Sequence, residues 1–182
     1  MSKLKIEGRL SFEHVFRPDS SNGGNPAYSA TVLIPQGDPQ VKMIQDAIEE
    51  VAKAKWRDKA PIILKGLISE GKTCLRNGDN KSYAGYAGMM YLTSRNSVRP
   101  TTYDAKVNPV AEEDGVIYSG CYVRVCVELW AQDNANGKRV NGKLLGVQFM
   151  RDGDRFGAGS GPATAEDFSV VEEEPETKAP WD

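Results

Sequence analysis

The stretch VIYSGCYVRVCVELWA, residues 116–131, decides the fold class. Ile117, Cys121, Val123, Val125, Val127 and Leu129 share one parity; Tyr118, Tyr122, Arg124, Glu128 and Trp130 share the other. A period of two predicts a long strand with one buried face. DNANGKRVNGK (133–143) follows with two Asn-Gly turn signals, and KLLGVQFMR (143–151) reads as the returning strand of a hairpin. The N-terminus repeats the pattern. Leu4, Ile6, Gly8, Leu10, Phe12, His14 and Phe16 alternate with Lys5, Glu7, Arg9, Ser11 and Glu13. This predicts a long half-buried strand, bent by a bulge at Gly8. Past the turn formers DSSNGGNP (19–26), YSATVLIP (28–35) reads as its partner.

One helix interrupts the strands. Asp38 supplies a capping oxygen and Pro39 suits the first helical position. Val41, Ile44, Ile48, Val51 and Trp56 then recur at helical spacing, predicting an amphipathic helix over 39–57 that Pro61 keeps from continuing. Between Leu64 and Tyr103 the signals are short strands and Gly-rich turns, with GYAGMMYLTS (85–94) the best strand, and VNPVAEEDG (107–115) reads as a loop. The expected fold is mainly β with one inserted helix. Two long hairpins with conspicuous loops fit a five-stranded Greek-key barrel of the OB type.

Charge divides the chain. Residues 166–182 hold seven acids and one Lys, against 22 basic and 18 acidic residues in 1–165. We expect an OB-fold domain over 1–165, the part that would bind a ligand, and a disordered, flexible acidic tail over 166–182. A basic body suggests a polyanionic partner, and a tethered acidic tail can compete for the same surface.

Lys72–Tyr103 carries the strongest binding signal. Lys72, Arg76, Lys81, Arg95 and Arg99 face one acid, Asp79, and Tyr83, Tyr86, Tyr91 and Tyr103 are interspersed. Cations track a phosphate backbone and rings stack on bases of any identity. The bland alternative makes the Tyr core-edge residues and the cations a solvated rim. Tyr122 and Arg124, on the outer face of 116–131, extend the candidate surface, while Trp130 fits better in a second core layer. Lys138 and Arg139 at the hairpin tip can clamp a backbone.

Other chemistries lack support. No GxSxG, P-loop or GxGxxG is present, and no cofactor is implied. Cys74, Cys121 and Cys126 form no CxxC pair and read as free thiols; with His14 they supply too few zinc ligands, so no metal is expected. Asp152 and Asp154 lack the converging carboxylates of two-metal chemistry. MSKLKIEGRL has no apolar signal core, and no stretch is long enough to span a membrane.

GRLSFEHVF, YSATVLIPQGD, AKW (54–56), YAGYAGMMYLTSRNSVRPTTYD, IYSGCYVRV and GVQFMRDGDRFG, in this order, resemble a family of phage single-stranded DNA-binding proteins with an OB fold, over about residues 7–170. The resemblance implies a non-enzymatic protein of phage DNA replication or recombination, acting in the cytoplasm of the bacterial host. Its partners would be single-stranded DNA and, through Glu172, Glu173, Glu174 and Trp181 of the tail, phage or host replication proteins. The sequence leaves room for a homodimer. Rival readings are a strand-annealing recombination protein, a metal-dependent nuclease using Asp152 and Asp154, and a virion structural protein.

Overall fold

The computed structural model describes residues 3–20, 23–156, 165 and 168–171. Its strands are β1 (Lys3–Asp19), β2 (Ala27–Pro35), β3 (Leu75–Asn77), β4 (Met89–Asn96), β5 (Thr101–Tyr103), β6 (Tyr122–Asn134) and β7 (Gly137–Arg151). They form one sheet in the order β3-β4-β2-β1-β6-β7-β5. A parallel contact between β4 and β7, at Arg95 opposite Lys143, joins its two sides. β1, β2, β4, β7 and β6 thereby close into the five-stranded OB-type barrel that the hairpins imply. Ile6, Leu10, Val32, Ile34, Leu92, Val123, Val125, Val127 and Leu144 fill it.

Helix α1 (Pro39–Trp56) starts as predicted, with Asp38 accepting from the Gln40 amide at 2.9 Å. Val41, Ile44, Ile48, Ala52 and Trp56 are its buried face. A second helix, α2 (Ala60–Ser69), falls where short strands and turns were expected. α1 ends at Trp56, where Arg57 takes φ 50°, before the chain reaches Pro61; that proline lies instead in the first turn of α2, where its missing N–H breaks no hydrogen bond and its fixed φ favours a helix start.

Three details depart from the alternation. First, Gly8 pairs regularly with Val123 and forms no bulge. It permits a close approach instead: a Cβ there would lie 2.3 Å from the Leu33 carbonyl oxygen. The irregularity comes later, between Ser11 and His14, where Phe12 has φ 48°. Val15 then takes the inward place assigned to Phe12, His14 and Phe16, and Phe12 is thrown outward, 47% exposed. Second, β6 begins at Tyr122 rather than 116. Leu10 instead holds the preceding turn, its amide donating to the Cys121 carbonyl and its carbonyl accepting from Gly120. Third, the hairpin turns once, at Ala135 and Asn136, so that only the first Asn-Gly signal marks a turn and its Gly137 opens β7. Gly142 lies within β7, against the Thr93 carbonyl where the barrel closes. Glu172, Glu173, Glu174 and Trp181 lie outside the described residues.

Candidate nucleic-acid interface

β2 and β4 pair from Tyr28 opposite Asn96 to Pro35 opposite Met89. Ala30, Val32, Ile34 and Leu92 point into the core, so Ser29, Thr31, Thr93 and Arg95 point out. The β6–β7 hairpin rises beside this face. Between them runs a groove of about 740 Å³ whose lining includes Arg76, Arg95, Trp130, Gln132, Arg139 and Asn141. Arg95 and Trp130 also line an adjoining hollow of about 510 Å³ with Pro26, Asn96, Glu128 and Lys143. In an OB barrel this is the face of the second and third barrel strands, between the first and last hairpins, where oligonucleotides bind.

The groove's cations are uncommitted. Arg76, Arg95, Arg139 and Lys143 form no ion pair among the described residues. Arg76 donates from Nη2 to the Thr93 hydroxyl at 3.1 Å and lies 5.1 Å from the centre of the Tyr91 ring. Its buried Nε has no hydrogen-bond partner among the described residues. A hydroxyl and a ring thus orient this guanidinium without neutralising it.

Beyond Arg76, residues 78–88 cover the outer side of Leu33 and Tyr91. Tyr86 is expected from sequence to stack on bases; the structure makes it a core ring, 2% exposed, donating to the Ser11 hydroxyl at 3.0 Å. Burial pushes its phenol above the usual pKa, although the Ser11 hydrogen bond opposes this. Tyr83 and Phe12 lie on top of it. They are 51% and 47% exposed, and their ring centres are 4.8 Å apart in edge contact. Two large exposed rings on a buried aromatic base form a ledge at the Arg76 end of the groove. Phe12 was missed because strict alternation turns it inward. A non-glycine residue at positive φ, as here, stores strain that tends to mark functional positions.

The remaining candidates are dispersed. Lys72 pairs with Glu70 at 3.1 Å, and Lys138 with Asp133 at 3.6 Å. A 2.9 Å hydrogen bond from Trp56 and the charge of Lys138 hold the Asp133 carboxyl below its usual range. Lys81 is exposed near the ledge, two residues from Tyr83. Arg99 leans over Phe16, 5.6 Å from the ring centre. Tyr103 and Arg124 line a separate hollow with Lys5 and Gln148. Arg124 reaches Glu7 through two hydrogen bonds of 3.0 and 2.7 Å. Tyr122 is capped by Arg151 at 4.0 Å. So the groove gathers Arg76 and Arg139 of the expected set, with Tyr83 on the ledge. Arg95, named in the same binding stretch, joins them; Trp130, 37% exposed rather than in a second core layer, and Lys143 of the adjoining hollow are additions. Asp152 accepts from the Tyr118 hydroxyl at 2.8 Å, and among the described residues no three His, Cys, Asp or Glu side chains gather as metal ligands. No helix among them is long and apolar enough to cross a membrane.

Residues 3–178 match the family described as Enterobacter phage Enc34, ssDNA-binding protein. Protein p50 of Acyrthosiphon pisum secondary endosymbiont phage 1 is 41% identical over 180 residues, covering 94% of this chain and 97% of that protein. The structure of the single-stranded DNA-binding protein from bacteriophage Enc34 in complex with ssDNA superposes with a TM-score of 0.73 at 27% identity, covering 85% of this chain and 89% of that one. The single-stranded DNA-binding protein gp2.5 of bacteriophage T7 shares the fold, with a TM-score of 0.60 at 14% identity over 90% of this chain and 99% of its own. The chain belongs to the family of the Enterobacter phage Enc34 ssDNA-binding protein.

Proposed function

We propose that this protein binds single-stranded DNA without sequence preference, in phage DNA replication or recombination, and that the strand lies along the outer face of β2 and β4. The observation that carries the reading is a groove holding three arginines without ion pairs among the described residues, between the exposed rings of Phe12 and Tyr83 at one end and Trp130 at the other. Phosphates meet Arg76, Arg95, Arg139 and Lys143. Bases unpaired in the free strand stack on the rings, each contributing about 1–3 kcal/mol. A duplex keeps its bases stacked on each other and gains only the phosphate contacts. The Enc34 relative solved with ssDNA supports this choice of ligand.

The acidic tail is a competitor in this reading. Tethering raises its effective concentration over the groove to the millimolar range for short flexible linkers. DNA displaces it, and Glu172, Glu173, Glu174 and Trp181 become available to replication proteins. Salt titrations on single- and double-stranded DNA, with the full chain and a form ending at Asp167, test both parts. The full chain should prefer single strands and lose affinity steeply as salt rises. Truncation should tighten binding most at low salt and narrow the preference. Equal, salt-insensitive binding to both forms would remove the groove assignment. Unchanged or weaker binding by the truncated protein would remove the competitor.

A further inference from the structure

A second surface lies away from the strand groove. Where α1 and α2 pack together, an open cleft of about 430 Å³ is floored by Ala52, Ala60 and Leu64, with Pro61 and Ile68 on its sides. Ile68 is 60% exposed, and Ile62, elsewhere on α2, is 80% exposed, so apolar surface on α2 stays wet. Lys53 and Lys65 rim the cleft, opposed by Glu49. Residues 53–65 as a whole hold five cations (Lys53, Lys55, Arg57, Lys59, Lys65) against Asp58. An apolar slot in a basic rim fits an acidic peptide that carries a large apolar side chain.

The chain contains such a peptide. Residues 172–182, EEEPETKAPWD, have five acids, one Lys and a single large apolar residue, Trp181. Its tether is placed at the far end of the molecule. Phe156, 25 residues before Trp181, packs with Leu33, Tyr86 and Tyr91, beside the Pro35 end of β2. α1 starts at that end and runs about 27 Å to Trp56, which bonds Asp133 beside the β6–β7 turn. The cleft sits on the later turns of α1, toward that turn. The strand groove spans the same two ends. Copies lined up with one polarity on a strand therefore bring the tether of one toward the cleft of the next, a head-to-tail contact that can repeat indefinitely.

We propose that the α1–α2 cleft receives the C-terminal segment of the next copy on the same DNA strand, Trp181 entering the slot and the glutamates meeting Lys53 and Lys65, so that coating is cooperative. This rests on the strand-binding reading above. DNA entering the groove releases the tail, and a neighbour on the same strand offers the cleft at high effective concentration.

The test uses the full-length chain on two oligonucleotides: the shortest that saturates with one copy, and one twice as long. The second copy should bind the longer strand on the order of tenfold more tightly than the first, the effect of about one apolar side chain leaving water. Ile68→Glu should abolish that gain while leaving affinity for the short strand unchanged, and Trp181→Ala should abolish it too. A fluorescent peptide of residues 168–182 should bind the wild-type chain and lose at least tenfold in affinity for Ile68→Glu. Persistence of the gain in folded Ile68→Glu, or no gain in the wild type, would overturn the proposal. Failure to bind even the short strand would defeat the strand-binding reading; peptide binding, measured without DNA, would still report on the cleft.

Discussion

Two faces of this barrel carry the same kinds of residue and differ in what those residues hold. In the groove over the β2–β4 face, Arg76, Arg95 and Arg139 lack carboxylate partners among the described residues, and Phe12, Tyr83 and Trp130 are exposed. Around the start of β6 and the end of β7 the same residue types are already matched. Arg124 grips Glu7, Arg151 covers Tyr122, and Arg155 covers Tyr118, whose hydroxyl is bonded to Asp152. Arg9 lies over Phe156 and donates to the Asp154 carbonyl at 2.6 Å, tying the end of the barrel to β1. An arginine beside a ring is a candidate ligand contact where no carboxylate among the described residues holds it and exposed rings lie nearby, as at Arg76, whose own ring partner Tyr91 is buried.

The largest effect should separate core from surface within the aromatic cluster. Tyr86→Ala should lower folding stability by about 3–5 kcal/mol, the range for emptying a buried aromatic site, while the folded fraction still binds DNA. Tight binding loss in a variant that melts normally would instead put Tyr86 on the surface. Next, a combined Arg76→Ala, Arg95→Ala and Arg139→Ala variant should lose on the order of 100-fold in affinity. Its dependence of log affinity on log salt should become shallower by about 2, near 0.7 per lost phosphate contact. An unchanged salt slope would break the comparison. Phe12→Ala and Tyr83→Ala should each weaken binding by about 1–3 kcal/mol with melting little changed. The smallest effect belongs to the matched face. Arg124→Ala removes a surface pair that contributes about 0–1 kcal/mol and should leave DNA affinity within twofold. A larger loss would make that face part of the strand path.

The barrel was legible because period-two alternation survives in β1, β2, β6 and β7, and because Asp38-Pro39 announces α1. What escaped was local and non-repeating. α2 is short and opens with a proline that reads as a stop. The bulge in β1 has no glycine to announce it; the strain falls on Phe12, and one extra residue reverses the phase that follows. The site was half legible for a related reason. A run of cations and tyrosines from 72 to 103 is visible in the chain, but partners come from elsewhere. Ser11 claims Tyr86 and Glu7 claims Arg124. Arg139 and Trp130 meet Arg76 only when the last hairpin folds back over β4. Those pairings are set by the register of distant strands, which alternation does not specify.

The closure of the barrel has a consequence for how salt acts on this protein. At the seam, Arg95 lies directly opposite Lys143, two positive charges on neighbouring strands, with no ion pair to either among the described residues. Like charges facing each other across a sheet are destabilising. Added salt screens that repulsion and should raise the melting temperature of the free protein, even as it dissociates the complex. A phosphate bound as proposed, over the seam, would relieve the same repulsion from outside. Glu128, opposite Lys143 on β6, offsets only part of the charge at the seam, and a strand lying in the proposed groove would supply the rest.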